Sequence, residues 1–128
     1  MIYVDTSVLL SQLLDEQRQP PESLWAEELV TSRLTEYELW VRLNARGLVR
    51  SHGEAARELV ARLAFTELSP TVLARALEPF PVPVYTLDAL HLASIEFLCA
   101  RRQPVRLATY DERQLQAARR LGFDTYAV

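Results

Sequence analysis

Apolar positions along the chain follow two alternating rhythms. Short blocks rich in β-branched and aromatic residues read as brief buried strands: Ile2–Tyr3–Val4, Leu29–Val30–Thr31–Ser32, 65–68, 105–109 and 123–128. Between them apolar residues recur at helical spacing. Leu9, Leu10, Leu13 and Leu14 mark the first such stretch, and Gln17–Arg18–Gln19–Pro20–Pro21 breaks it. Further helices are predicted over 22–28, 33–46 (stopped by Gly47) and 53–63. Ser69–Pro70, a cap followed by a first-turn proline, opens another that runs to Leu77. The segment 79–83 carries three prolines and reads as an extended connector. A helix over 87–101 follows, marked by Leu90, Leu92, Ile95, Phe97 and Leu98, and a last one over 112–121 stops at Gly122.

Strands alternating with helices imply right-handed βαβ crossovers. The expected fold is α/β: three α/β/α layers around a central, mostly parallel sheet of about five short strands. A length of 128 residues suits a single domain spanning 1–128. No apolar run reaches the 18 or so residues of a membrane span, and Asp5 interrupts any signal-peptide core. Cys99, the sole cysteine, reads as a buried structural thiol, and a reducing cytoplasm is the expected compartment.

The net charge of −3 gives no bulk attraction to nucleic acid or anionic membrane. Every basic residue is nonetheless arginine, the side chain that grips phosphate bidentately. Residues 99–128 are locally basic, and Arg101, Arg102 and Arg113 are the arginines expected to track a phosphate backbone if one is bound.

Four acids carry the candidate chemistry. Asp5 and Asp111 each stand just past the carboxyl end of a predicted buried strand, and parallel strands bring those ends to one edge of the sheet. Asp88 lies in the first turn of its helix, where an acid also suits the dipole. For the helix over 33–46, at about 100° per residue, Leu34, Tyr37, Val41, Ala45 and Leu48 define one face. Glu38 borders that stripe and Glu36 lies well round from it. An acid beside a buried face is costly unless paired or metal-bound, which singles out Glu38. If the four converge, a hard divalent cation, Mg²⁺ or Mn²⁺, resolves their repulsion. His52 is expected to face solvent from a connector. His91, one turn after Asp88, is a candidate supporting residue of the site.

Several functions lack their motifs. There is no glycine-rich phosphate loop, no dinucleotide fingerprint and no Gly-x-Ser-x-Gly elbow. The absence of lysine removes the P-loop and receiver-domain lysines. No His/Cys cluster suits zinc.

Val4–Asp5–Thr6–Ser7, Ser32–Arg33–Leu34 with Glu38–Leu39, Leu87–Asp88–Ala89–Leu90–His91–Leu92–Ala93, and Thr109–Tyr110–Asp111 together resemble the successive motifs of the PIN-domain ribonucleases, above all the VapC-type toxins of toxin–antitoxin pairs. The resemblance spans the chain, and the LDALHLA stretch is its most specific part. It implies that Asp5, Glu38, Asp88 and Asp111 form an acidic metal-binding quartet, with Thr6, Ser7 and Thr109 as polar neighbours that orient a ligand or water. It implies Mg²⁺- or Mn²⁺-dependent cleavage of RNA of the tRNA or rRNA class, a VapB-type antitoxin that blocks the site, and a homodimer. Tyr85 departs from the pattern, since many relatives carry a basic residue there. Two alternatives stay open on the residues alone: another divalent-metal phosphoesterase acting on DNA or small phosphate esters, and a PIN-like binding module without catalysis.

Overall fold

The computed structural model describes residues 1–128 and contains five strands and six α-helices. In chain order they are β1 (Ile2–Val4), α1 (Thr6–Leu13), β2 (Leu29–Ser32), α2 (Arg33–Ala45), α3 (Val49–Val60), β3 (Ala64–Thr66), α4 (Pro70–Ala76), α5 (Thr86–Ala100), β4 (Arg106–Ala108), α6 (Glu112–Arg120) and β5 (Asp124–Thr125). A 3-10 helix over Glu22–Ala26 precedes β2, where the sequence predicts a longer helix. No helix is long and apolar enough to cross a membrane.

All strand pairs are parallel, in the order β3-β2-β1-β4-β5. The chain builds outward from β1 in one direction through β2 and β3, then returns to the other side of β1 for β4 and β5. Strand order therefore reverses between β1 and β4, and a crevice opens above their carboxyl ends. The β1–β4 register pairs Tyr3 with Leu107 and Val4 with Ala108. The Asp5 amide continues the ladder by donating to the Ala108 carbonyl (3.0 Å).

Alternation along β1 sends side chains to two cores. Ile2 and Val4 join Leu9, Leu39, Leu43 and Leu59 beneath α1, α2 and α3. Tyr3 points the other way, into Leu92, Ile95, Leu107 and Ala117 beneath α5 and α6. The sheet is thus covered on both faces, as the alternation of strands and helices predicts.

The structure corrects the predicted phase of α2. Its buried residues are Leu34, Thr35, Leu39 and Leu43, whereas Tyr37 and Val41 are 63% and 43% exposed. The cause is Thr35. It reads as polar in the sequence, yet it is fully buried and shares a hydrogen bond with Thr31 (2.6 Å), so the inward face is Thr35–Leu39–Leu43. Glu38 adjoins this face as well, and its half-buried position survives the correction.

Helix α3 begins four residues earlier than predicted, and His52 lies within it, half-buried, with Nδ1 2.6 Å from the Ser51 hydroxyl. Gly47, at φ +65°, makes the whole turn from α2, so helix resumes at once. Gly53, read as a boundary, sits buried inside α3 against Trp40. A Cβ at Gly53 would meet Val49 at 3.6 Å and Trp40 at 3.8 Å, ordinary contacts. Gly53→Ala is therefore expected to stabilise the fold by about 0.5–1 kcal/mol through a stiffer unfolded chain. A thermal melt checks this, and a lower midpoint would show that the α2–α3 contact tolerates no methyl.

Candidate metal and catalytic site

The crevice at the β1/β4 switch point is an open cleft of about 1040 Å³, and Asp5, Glu38, Asp88 and Asp111 all line it. Each arrives by a different route. Asp5 ends β1 and N-caps α1, and Asp111 N-caps α6 after β4. Glu38 projects from the second turn of α2, and Asp88 occupies the first turn of α5. All four acids singled out in the sequence meet here.

Three of the four are held by one oxygen, leaving the other without a donor. Asp5 Oδ2 accepts from the Ser7 amide (3.0 Å), the Ser7 hydroxyl (2.5 Å) and the Thr109 hydroxyl (3.1 Å). Glu38 Oε1 accepts from the Thr6 hydroxyl (3.1 Å) and lies 2.6 Å from His91 Nε2. Asp111 Oδ1 accepts from the amides of Arg113 (2.9 Å) and Gln114 (3.1 Å). Ser7 and Thr109 also staple the two strand ends together, because Ser7 Oγ accepts from the Tyr110 amide (3.0 Å) and the Thr109 hydroxyl reaches Asp5, while Thr109 Oγ1 also accepts from the Asp111 amide two residues on (3.0 Å). Thr6, Ser7, His91 and Thr109 are thus all brought to the site as supporting residues.

A buried chain of hydrogen bonds fixes Glu38 from below. Burial, followed by the negative charge of Asp5, drives the Tyr3 phenol far above its usual pKa, so it stays protonated. It accepts from the Ser32 amide (3.2 Å) and shares a hydrogen bond with His91 Nδ1 (2.8 Å). On its other side the ring's Nε2–H donates to the Glu38 carboxylate, which can only accept (2.6 Å). Burial alone would lower the His91 pKa. The hydrogen bond to Glu38 and the charges of Asp5, Glu38 and Asp88 outweigh it and leave the pKa raised. Tyr3 reads in the sequence only as an apolar strand residue. Its partner lies 88 positions away, and nothing local announces the link.

Asp88 differs from the other three, since no hydrogen bond reaches either of its oxygens. Its pKa is raised to about 6, first by burial and then by the charges of Asp111, Asp5 and Glu38, with His91 opposing. The four carboxylates are therefore close enough to sense one another. They are not drawn into a ready-made shell, because no three His, Cys, Asp or Glu side chains are gathered tightly enough to grip an ion directly. A set of uncommitted carboxylate oxygens around an open cleft fits a hard, hydrated cation such as Mg²⁺ or Mn²⁺, which keeps several of its waters.

The arginines fall otherwise than the sequence suggests. Arg18, Arg42 and Arg46 line the cleft. Arg101 and Arg102 follow the far end of α5, roughly 20 Å along the helix from Asp88. Arg113 sits at the rim with its guanidinium 4.4 Å from the Tyr85 ring. Trp25 and Trp40 pack against the first core under Arg62 and Arg57, away from the cleft. Cys99 is half-buried beside the second core, and burial raises its pKa.

The strand-order reversal is thus flanked by four acids, with polar residues bracing them. The PIN domain family model matches residues 2–120. Ribonuclease VapC47 of Mycobacterium tuberculosis is 33% identical, over 98% of this chain and 95% of that protein. Ribonuclease VapC35 of the same organism is 31% identical, over 99% and 96%. The crystal structure of M. tuberculosis VapC20, described as a Sarcin-Ricin loop cleaving toxin, superposes over the full length of both chains with a TM-score of 0.72 at 20% identity, a likeness of fold. The chain belongs to the PIN-domain family, among its VapC ribonucleases.

Proposed function

We propose that this member of the VapC ribonucleases is a Mg²⁺- or Mn²⁺-dependent endoribonuclease in which Asp5, Glu38, Asp88 and Asp111 hold the cation. The observation that carries the reading is the convergence of the four carboxylates on one cleft, three of them with a single oxygen tied down. When bound, the cation supplies acidified water and neutralises charge that builds on the scissile phosphate.

The protein's own groups do the positioning. Ser7 and Thr109 fix the plane of Asp5, while Thr6 and the Tyr3–His91 chain fix Glu38. The first two amides of α6 beyond the cap residue's neighbour hold Asp111 in place at Arg113 and Gln114. Asp88 stays adaptable and takes up the charge balance as the site fills. Preorganised carboxylates of this kind spare the reaction the cost of gathering them.

The same reading makes the chain the toxin of a toxin–antitoxin pair, restrained by a VapB-type partner that covers the cleft, with RNA of the tRNA or rRNA class as substrate. A homodimer is part of it, supported by the large apolar side chains left exposed at Tyr37 and Val41 of α2 and Leu73 of α4, and at Leu77 just beyond it. The test is incubation of the purified chain with RNA, with single-stranded DNA and with a small phosphate ester. Cleavage of RNA with Mg²⁺ or Mn²⁺, abolished by chelator, is expected. RNA cleavage that persists in chelator overturns the metal assignment, and exclusive cleavage of DNA or the ester overturns the substrate.

A further inference from the structure

The cleft wall carries three arginines that the carboxylate site does not use. None of the chain's ion pairs includes Arg18, Arg42 or Arg46, although acids line the cleft around them. Four other arginines, Arg33, Arg57, Arg75 and Arg106, do pair with acids. Arg33, at the opposite end of α2, bridges Glu36 and Glu67, and Arg75 holds Glu96 at 2.6 Å.

Glu38, Arg42 and Arg46 stand at i, i+4 and i+8, so they rise along one face of α2 in steps of about 6 Å. That rise is close to the separation of successive phosphates along an extended nucleic-acid strand. Both arginines are exposed and close the far end of the helix. A helix C-terminus favours cations in any protein, but that preference does not explain why both line the same cleft as Glu38.

The loop between α1 and the 3-10 helix lines the same cleft. Its one cation is Arg18, beside Asp15 and Glu16. The loop is pinned rather than loose. The buried Ser11 hydroxyl donates to the Arg18 carbonyl, and Gln19 Nε2 donates to the carbonyls of Ser11 (3.0 Å) and Glu16 (2.7 Å). The Arg18 guanidinium lies 4.6 Å from the centre of the Tyr110 ring, next to Asp111. Stacked on an aromatic face, it keeps its planar fork free for an anion.

We infer that Arg42 and Arg46 bind two successive phosphates on one side of the scissile phosphate of a single RNA strand, and that Arg18 binds the phosphate on its other side. The strand then crosses the carboxylate floor from α2 to the Tyr110 wall, away from the arginine cluster after α5. This rests on the ribonuclease reading above and adds the path of the substrate to it.

The test follows cleavage of a single-stranded RNA oligonucleotide at saturating Mn²⁺, with KM and kcat measured across a range of KCl concentrations. Each released phosphate contact contributes roughly 0.7 to the slope of log affinity against log salt for a single strand. Arg18→Gln, Arg42→Gln and Arg46→Gln are each expected to raise KM severalfold, leave kcat nearly unchanged and reduce the slope by about one contact's worth. Arg42→Lys, which keeps the charge at the helix end, is expected to retain most of the slope. Arg101→Gln and Arg102→Gln are expected to change neither quantity. An unchanged slope in the three cleft variants, or an equal loss in the two distal ones, overturns the proposed path while leaving the ribonuclease reading intact. A wild type that cleaves no RNA under these conditions overturns that reading, and the path with it.

Discussion

Glu38→Gln is expected to lower RNA cleavage by about a hundredfold or more, whereas Glu36→Gln, two residues away, leaves it nearly intact. Even groups one step removed from a metal cost roughly 10–100-fold when lost, and Glu38 is proposed to hold the metal itself. The two acids differ in surroundings rather than in chemistry. The Glu38 side chain is 17% exposed, is held by Thr6 and His91, and faces Asp5 and Asp88 across the cleft. Glu36 is 35% exposed and pairs with Arg33 at the surface. A surface pair of that kind contributes little to stability, so Glu36→Gln is also expected to fold normally. Asp5→Asn should match Glu38→Gln in activity and, on expression without a partner, should relieve growth arrest. Equal toxicity at equal protein level would remove Asp5 from the site. The reverse ranking of Glu36 and Glu38 in a cleavage assay would remove Glu38.

Most of the scaffold is legible in the chain because its strands are short, apolar and cleanly bounded. Ile2–Val4 ends at an aspartate and the β4 segment ends at Thr109–Tyr110–Asp111, so parallel pairing alone sends Asp5 and Asp111 to one edge. The switch point is not legible, since strand order is a tertiary property. Asp88 is indistinguishable from a helix-capping acid until its neighbours are in view, and the resemblance of LDALHLA carries it further than its spacing does.

What the pattern hides has definite causes. Amphipathic phase treats Thr35 as outward and Tyr37 and Val41 as inward, and the structure reverses both. The Thr31–Thr35 hydrogen bond removes the cost of burying two hydroxyls, which no hydrophobicity pattern registers. The misread phase also conceals the arginines. Once Glu38 is taken as facing the cleft, the i+4 rule puts Arg42 and then Arg46 beside it. Counting basic residues by sequence window instead points to Arg101 and Arg102, which the length of α5 carries to the other end of the molecule.

Asp88→Asn is expected to raise the melting temperature of the cation-free protein at neutral pH while cutting the gain from added Mn²⁺. The sign follows from the pKa of Asp88, raised from an ordinary 3.8 to about 6 in the folded chain. The folded state then holds the proton more tightly than the unfolded state. Between about pH 4 and 6 stability falls as pH rises, and above that window the cost of the buried charge is fully present. His91 adds to the trend in the same direction. Its raised pKa gives stability that is complete below the unfolded value of about 6.5 and lost as pH climbs through the folded value. Asparagine removes the Asp88 share, so the variant should overtake wild type as pH rises from 4.5 to 7.5, the two being compared under chelator. Mn²⁺ reverses the order. A cation that binds only the folded state stabilises it by RT ln(1 + [L]/Kd), about 2.7 kcal/mol at a hundredfold excess over Kd, or on the order of 10 °C for a chain of this size. Wild type should show that shift and Asp88→Asn only part of it. If wild type gains nothing from Mn²⁺ or Mg²⁺ at millimolar concentration, or the variant gains just as much, Asp88 is only a first-turn acid favoured by the α5 dipole, and the four carboxylates do not share a cation. If the two proteins track each other across pH without metal, Asp88 carries neither the burial cost nor the repulsion from Asp111 and Asp5 that its raised pKa requires.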